Sequence, residues 1–179
     1  MANAPLEKAP FHRIRWISIV GGFMDGAKIE FAPGLNCIIG ARGTGKTTAL
    51  EFIRFVLDAM PDDRDACRRI EGLVNRNLDF GRVEVGIETK DGLTYVVSRT
   101  RNEDPVVLSD DGAPTEITLK AGGFFAADIF SQNEVESIAD RSLSQLELLD
   151  TFDAENIADL GVQIKHVGVE LAGKANAIQ

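Results

Sequence analysis

Residues 34–50 read GLNCIIGARGTGKTTAL, and Gly40-Ala41-Arg42-Gly43-Thr44-Gly45-Lys46-Thr47 satisfies G-x-x-x-x-G-K-[ST] at every fixed position. Four residues between the outer glycines let successive backbone N–H groups turn into one concavity, where they can meet anionic oxygens. Lys46 adds a point charge, Thr47 a hydroxyl suited to a divalent cation, and Thr48 a further donor. A continuous apolar run, Leu35–Ile39 with Cys37 within it, precedes the loop and reads as a strand buried on both faces. Apolar residues at Leu50, Ile53, Phe55, Val56, Leu57 and Met60 follow at near-helical spacing and stop at Pro61, so a helix is expected over 46–60. A glycine loop joining a buried strand to a helix N-terminus is a phosphate cradle. The expected ligands are the phosphates of a nucleotide with Mg²⁺.

The remaining chain supports an α/β fold. Arg13–Val20 alternates polar and apolar residues as a half-buried strand does, and AKIEFA at 27–32 reads as a second strand after a glycine turn. A polar helix is expected over 65–78. GRVEVGIE, the turn KDG and LTYVVSRT form a hairpin, and VVLSD, the turn DG and APTEITL extend it into an antiparallel meander. Beyond Gly122-Gly123, FFAADIFSQ reads as a further strand, and 135–152 as helix in two pieces. In the tail, Ile157, Ile164, Leu171 and Ile178 are spaced by seven, with Leu160 and Val167 at the intermediate position, a heptad pattern interrupted by Gly161, Gly168 and Gly173.

Composition narrows the function classes. The 179 residues carry a net charge of −9, which argues against a surface built chiefly to coat nucleic acid. Arg64, Arg68, Arg69, Arg76 and Arg82 form either a local basic patch or a set of solvated arginines facing carboxylates. Two cysteines, Cys37 and Cys67, give neither a metal spacing nor a disulfide framework, and Cys37 is expected to be buried. No run approaches the roughly 18 apolar residues of a membrane span, and the leader, residues 1–12, lacks a signal-peptide pattern, so a cytoplasmic location is expected.

Phe31, Pro33, Gly34, Leu35, Asn36, Ile38, Ile39 and Gly40–Thr48, followed by the helix from Glu51 to Leu57, resemble the N-terminal half of the ATPase head in SMC, RecF and RecN-like proteins, within the ABC-type ATPases. Arg42 stands where such proteins commonly have Asn, a form closer to divergent SMC-like ATPases of defence and DNA processing; it either touches phosphate or faces solvent. The resemblance implies a P-loop NTPase fold with an antiparallel lobe ending in Val97-Ser98-Arg99. It covers 13–152 as the head portion, with 153–179 as the start of a coiled-coil helix. It further implies a glutamine, matched by Gln132, that reaches Mg²⁺ and the attacking water; the alternative is that Gln132 belongs to a polar helix cap.

No LSGG-like stretch and no apolar run ending in Asp-Glu follows Gln132. The resemblance therefore implies an ATPase only when a C-terminal half supplies the Walker B and signature segments, with heads pairing on ATP binding and acting in DNA repair, DNA processing or defence. DNA contact is left open by the acidic balance, and no membrane partner is expected. The competing reading is a self-contained small P-loop kinase or NTPase with Asp128, at the end of FFAAD, as the Mg²⁺ ligand.

Overall fold

The computed structural model describes residues 11–61, 63–119, 124, 125 and 127–176; most of the leader, Gly122-Gly123 and Ile178 lie outside these. Two compact units divide at residue 129, Met1–Ile129 and Phe130–Gln179.

In the first unit, β1 (Arg13–Val20), β2 (Lys28–Glu30), β3 (Arg82–Glu88), β4 (Thr94–Thr100) and β5 (Val106–Ser109) form one antiparallel sheet in the order β2-β1-β3-β4-β5. Register turns the period-two pattern into a core. Ile17 lies opposite Val85, Val85 opposite Val97 and Val97 opposite Val107, so one row of branched side chains crosses four strands. All four are at most 1% exposed. Such directly opposed β-branched pairs are the packing unit of a sheet.

Against this face lies α1 (Lys46–Val56), with Phe52, Ile53 and Val56 in the same apolar cluster. The neighbouring row, Ile19–Val83–Arg99, carries a cation where an apolar residue would be usual. Arg99 lies with its guanidinium carbon 4.3 Å from the Phe55 ring centroid, and Nη1 donates to the Phe55 carbonyl at 2.6 Å and to Asp58 Oδ1 at 2.9 Å. Its charge is thus met at the end of α1, which explains why the strand tolerates it. α2 (Arg64–Asn77) begins on Asp63, whose carboxylate accepts from the Ala66 N–H at 2.8 Å, and buries Ile70 and Val74 against α1.

Several expectations need correction. The helix after the glycine loop ends at Val56, short of Met60: Asp58 takes a left-handed conformation at φ 54 and the Ala59 N–H bonds back to the Arg54 carbonyl. APTEITL forms no strand, only an isolated bridge from Leu108 to Pro114, since proline has no N–H to continue the ladder. FFAADIFSQ is irregular over its described residues and is held by side chains instead: Phe124 meets Tyr95 edge-on at 4.9 Å, and Arg54 donates to the Ile129 carbonyl.

The largest departure is Leu35–Ile39. Expected as a doubly buried strand, it forms none; Leu35 is 94% and Ile39 91% exposed, and Cys37 is exposed with them. Its local turn is well fixed, because Asn36 accepts from the Ala32 N–H and donates to the Ala32 and Gly34 carbonyls, each at 2.9 Å. Among the described residues, however, no strand pairs with it, and a lone strand has no means of burying two faces.

In the second unit, α3 (Gln132–Asp140), α4 (Ser142–Thr151) and α5 (Ala154–Asn176) follow one another, the first two matching the expected two-piece helix. α5 runs unbroken through all three tail glycines, with Leu160, Ile164, Val167 and Leu171 on its surface exposed.

Phe52 is fully buried where α1 meets the sheet. We expect Phe52→Ala to destabilise the chain by about 3–5 kcal/mol, the usual cost of such a cavity, read as a lower urea midpoint at an unchanged slope.

Candidate functional site

The glycine loop is positioned from its helical side. Gly45 is the N-cap of α1 at φ 89, a left-handed conformation that side chains rarely adopt. A Cβ at this position would lie 3.1 Å from the Met24 sulfur, so the loop is also pressed against the short 3₁₀ helix Gly22–Met24. Thr44 Oγ1 donates to the Ala41 carbonyl at 2.9 Å and bridges the loop internally.

Lys46 is half-buried, and its Nζ donates to the carbonyls of Gly40 at 2.8 Å and Ala41 at 2.6 Å. The ammonium therefore sits over the mouth of its own loop, held by the backbone that it follows. A cavity of ≈ 320 Å³ opens beside it, lined by Arg42, Gly43, Gly45, Lys46, Thr47 and Thr48 from the loop and by Phe23 and Asn77 from outside it. Cation, helix N-terminus and hydroxyls facing one cavity suit a polyanion, with Thr47 beside Lys46 for a divalent cation.

The remaining sequence candidates are distributed differently. Arg42 is exposed on the cavity rim. Gln132 is the first residue of α3, following Ser131, whose N–H donates to Glu134 Oε2 at 2.5 Å; the Gln132 amide donates to Glu136 Oε1 at 2.9 Å. That is the arrangement of a helix start, and the strand expected before it is not formed. Gln132 belongs to the second unit, the glycine loop to the first.

Asp128 is exposed and lines a separate, wider groove of ≈ 690 Å³ with Phe31, Leu35, Ile38, Leu50 and Ile53 among its walls. It does not line the cavity at Lys46. Of the arginines weighed as a basic patch, Arg68 pairs with Asp65 at 3.4 Å and Arg82 with Glu84 at 2.8 Å, the solvated arrangement. Among the described residues, no group of three or more His, Cys, Asp or Glu could hold a metal, and no helix is long and apolar enough to cross a membrane.

Three contributors were absent from the sequence reading. Phe23 and Met24 precede the loop by some twenty positions, and Asn77 follows it by about thirty; nothing in their local pattern marks them. Arg54 was not singled out either, yet it is 1% exposed, pairs with Glu51 at 3.3 Å and fixes the Ile129 carbonyl. A signal did exist for Arg54, since it lies between Ile53 and Phe55 in an otherwise apolar run.

With this geometry in view, comparison with known proteins is decisive at the level of family: a family description of the AAA domain matches residues 17–167. The chain belongs to the AAA domain family. The match spans the sheet, the glycine loop and the helices as far as α5, and the P-loop NTPase fold and the resemblance to an SMC/RecF-like ABC-type head half stand with it. Among solved structures the chain is similar to one described as the recombination mediator protein RecF-ATP in the RecFOR pathway, at 21% identity and a TM-score of 0.49. That similarity covers 79% of this chain and 39% of that one, so the chain spans about two fifths of the RecF chain's length. No curated protein matches it.

Gly45→Ala would force a side chain into the left-handed region against Met24. We expect a loss of about 1–2 kcal/mol, measured by chemical denaturation, with a helix N-terminus that exchanges its amide hydrogens faster.

Proposed function

We propose that this AAA-family chain is the ATP-binding portion of an SMC/RecF-like ATPase, binding ATP and Mg²⁺ through Gly40–Thr48. Lys46 is the group for the β- and γ-phosphates, Thr47 the Mg²⁺ ligand within the loop and Gln132 the residue that approaches Mg²⁺ and water. The observation that carries this reading is Lys46, held on the Gly40 and Ala41 carbonyls above a cavity whose other loop residues include Gly43, Gly45, Thr47 and Thr48.

Hydrolysis belongs to an assembly completed by a C-terminal half, of the same or another polypeptide, that brings the Walker B carboxylates and the signature segment. Bare Leu35–Ile39 supports this, because an apolar run of that length leading into a phosphate loop calls for strands beside it. In the assembly, ATP draws two heads together and loss of the γ-phosphate releases them, with α5 as the beginning of a coiled coil whose heptad positions are exposed. DNA repair, DNA processing or defence is the setting that the resemblance suggests, with DNA as a partner of the whole assembly. A cytoplasmic location goes with that setting.

The self-contained kinase or NTPase reading is less well supported, since Asp128 lines the apolar groove and not the cavity at Lys46. Titration calorimetry with ATP and Mg²⁺ tests the proposal: wild type should give a saturable heat, and Lys46→Ala should weaken binding at least tenfold, as loss of a charged phosphate contact does. The 179-residue chain should hydrolyse ATP negligibly. Multiple rapid turnovers, or undiminished binding by the Lys46 variant, would rule the proposal out.

A further inference from the structure

Phe80 is 93% exposed, although the chain on either side of it is fixed. Leu78, two positions earlier, is fully buried, and the Gly81 N–H donates to its carbonyl at 2.8 Å. A Cβ on Gly81 would fall 2.2 Å from the Val20 carbonyl oxygen, so the turn is pressed against the end of β1. Between these anchors Asp79 takes a left-handed conformation at φ 52, which aspartate tolerates better than most side chains. The ring is therefore held out in solvent by a turn secured at both ends.

Beside the ring lies a cavity of ≈ 250 Å³, walled by Gly81, Thr100, Arg101, Asn102 and Glu103. Its far wall is fixed as well, since Arg99 Nε donates to the Glu103 carbonyl at 3.0 Å and Thr100 Oγ1 to Glu103 Oε2 at 2.8 Å. The Arg101 guanidinium carbon is 5.9 Å from the Phe80 ring centroid. Among the described residues, neither Arg101 nor Asp79 has an ion-pair partner.

A single exposed aromatic is ordinary. Here a projecting ring, a hollow large enough for one ring and unpaired charges of both signs share one patch. A foreign partner would need only one half of each complementary pair. A surface that meets itself across a two-fold axis needs both halves, because residue i contacts j while j contacts i. We propose that this patch joins two copies of the chain, Phe80 of each copy entering the cavity of the other and Arg101 of each facing Asp79 of the other. None of its residues lines the cavity at Lys46, so this association is independent of nucleotide.

Sedimentation equilibrium of the full chain tests the proposal. Wild type should show a mass that rises with concentration from one chain toward two, unchanged by ATP with Mg²⁺. Phe80→Glu should weaken the association at least about tenfold, as removal of a central interface aromatic does; the ring is exposed, so its loss leaves the fold intact. Asp79→Lys and Arg101→Glu should each stay monomeric alone and form a mixed dimer when combined, since opposite charges then meet at both contacts. A wild type that is monomeric throughout, or that pairs only with nucleotide, overturns the proposal. So does a dimer that survives Phe80→Glu, a dimer lost instead with Ile164→Asp on α5, or a mixture of the two charge variants that stays monomeric.

Discussion

Everything near the glycine loop depends on how α1 is buried. Phe52, Ile53 and Val56 pack on the row Ile17–Val85–Val97–Val107, and the helix N-terminus, hence Gly45 and Lys46, goes where that contact sends it. Full burial of an aliphatic or aromatic side chain is worth about 1.5–3 kcal/mol, so the helix is fixed by several such contributions at once. The segment entering the loop adds little, because Leu35–Ile39 is bare. Polar anchors complete the seating at the other end of α1. Arg99 meets the Phe55 carbonyl and Asp58, while Arg54, with Glu51 beside it, reaches Ile129. Removing one member of such a buried pair strands the other, which makes these cations structural commitments of the helix.

Much of this was legible in the residues. The alternation in Arg13–Val20 and the KDG turn between two strands are local signals, and the structure honours them. The glycine loop announced itself because its spacing answers a backbone requirement that few other sequences meet. Signals that failed were those needing a partner or a neighbour. LNCII reads as a buried strand on hydrophobicity alone, and whether it is buried depends on which chain lies beside it. Pro114 was the overlooked veto on APTEITL, and the left-handed Asp58 ends α1 at a point that the apolar spacing ran through. Phe23 and Asn77 are close to Lys46 only because the sheet and α2 bring distant sequence together.

The distribution of apolar surface is itself informative. Soluble domains rarely leave a continuous apolar segment uncovered unless something binds there. Here the uncovered segment leads straight into the glycine loop, and the groove beside it, with Phe31, Leu35 and Ile38 in its walls, is apolar as well. An element docking on that face would touch the strand side of the loop while the helix side stays anchored.

The two carbonyl contacts of Lys46 carry a thermodynamic consequence. An ammonium already solvated by backbone oxygens does not gain hydrogen bonds when an anion arrives; it exchanges them, and only the difference appears as affinity. The Gly40 and Ala41 carbonyls thus stand where the oxygens of a bound anion would have to compete for the same ammonium.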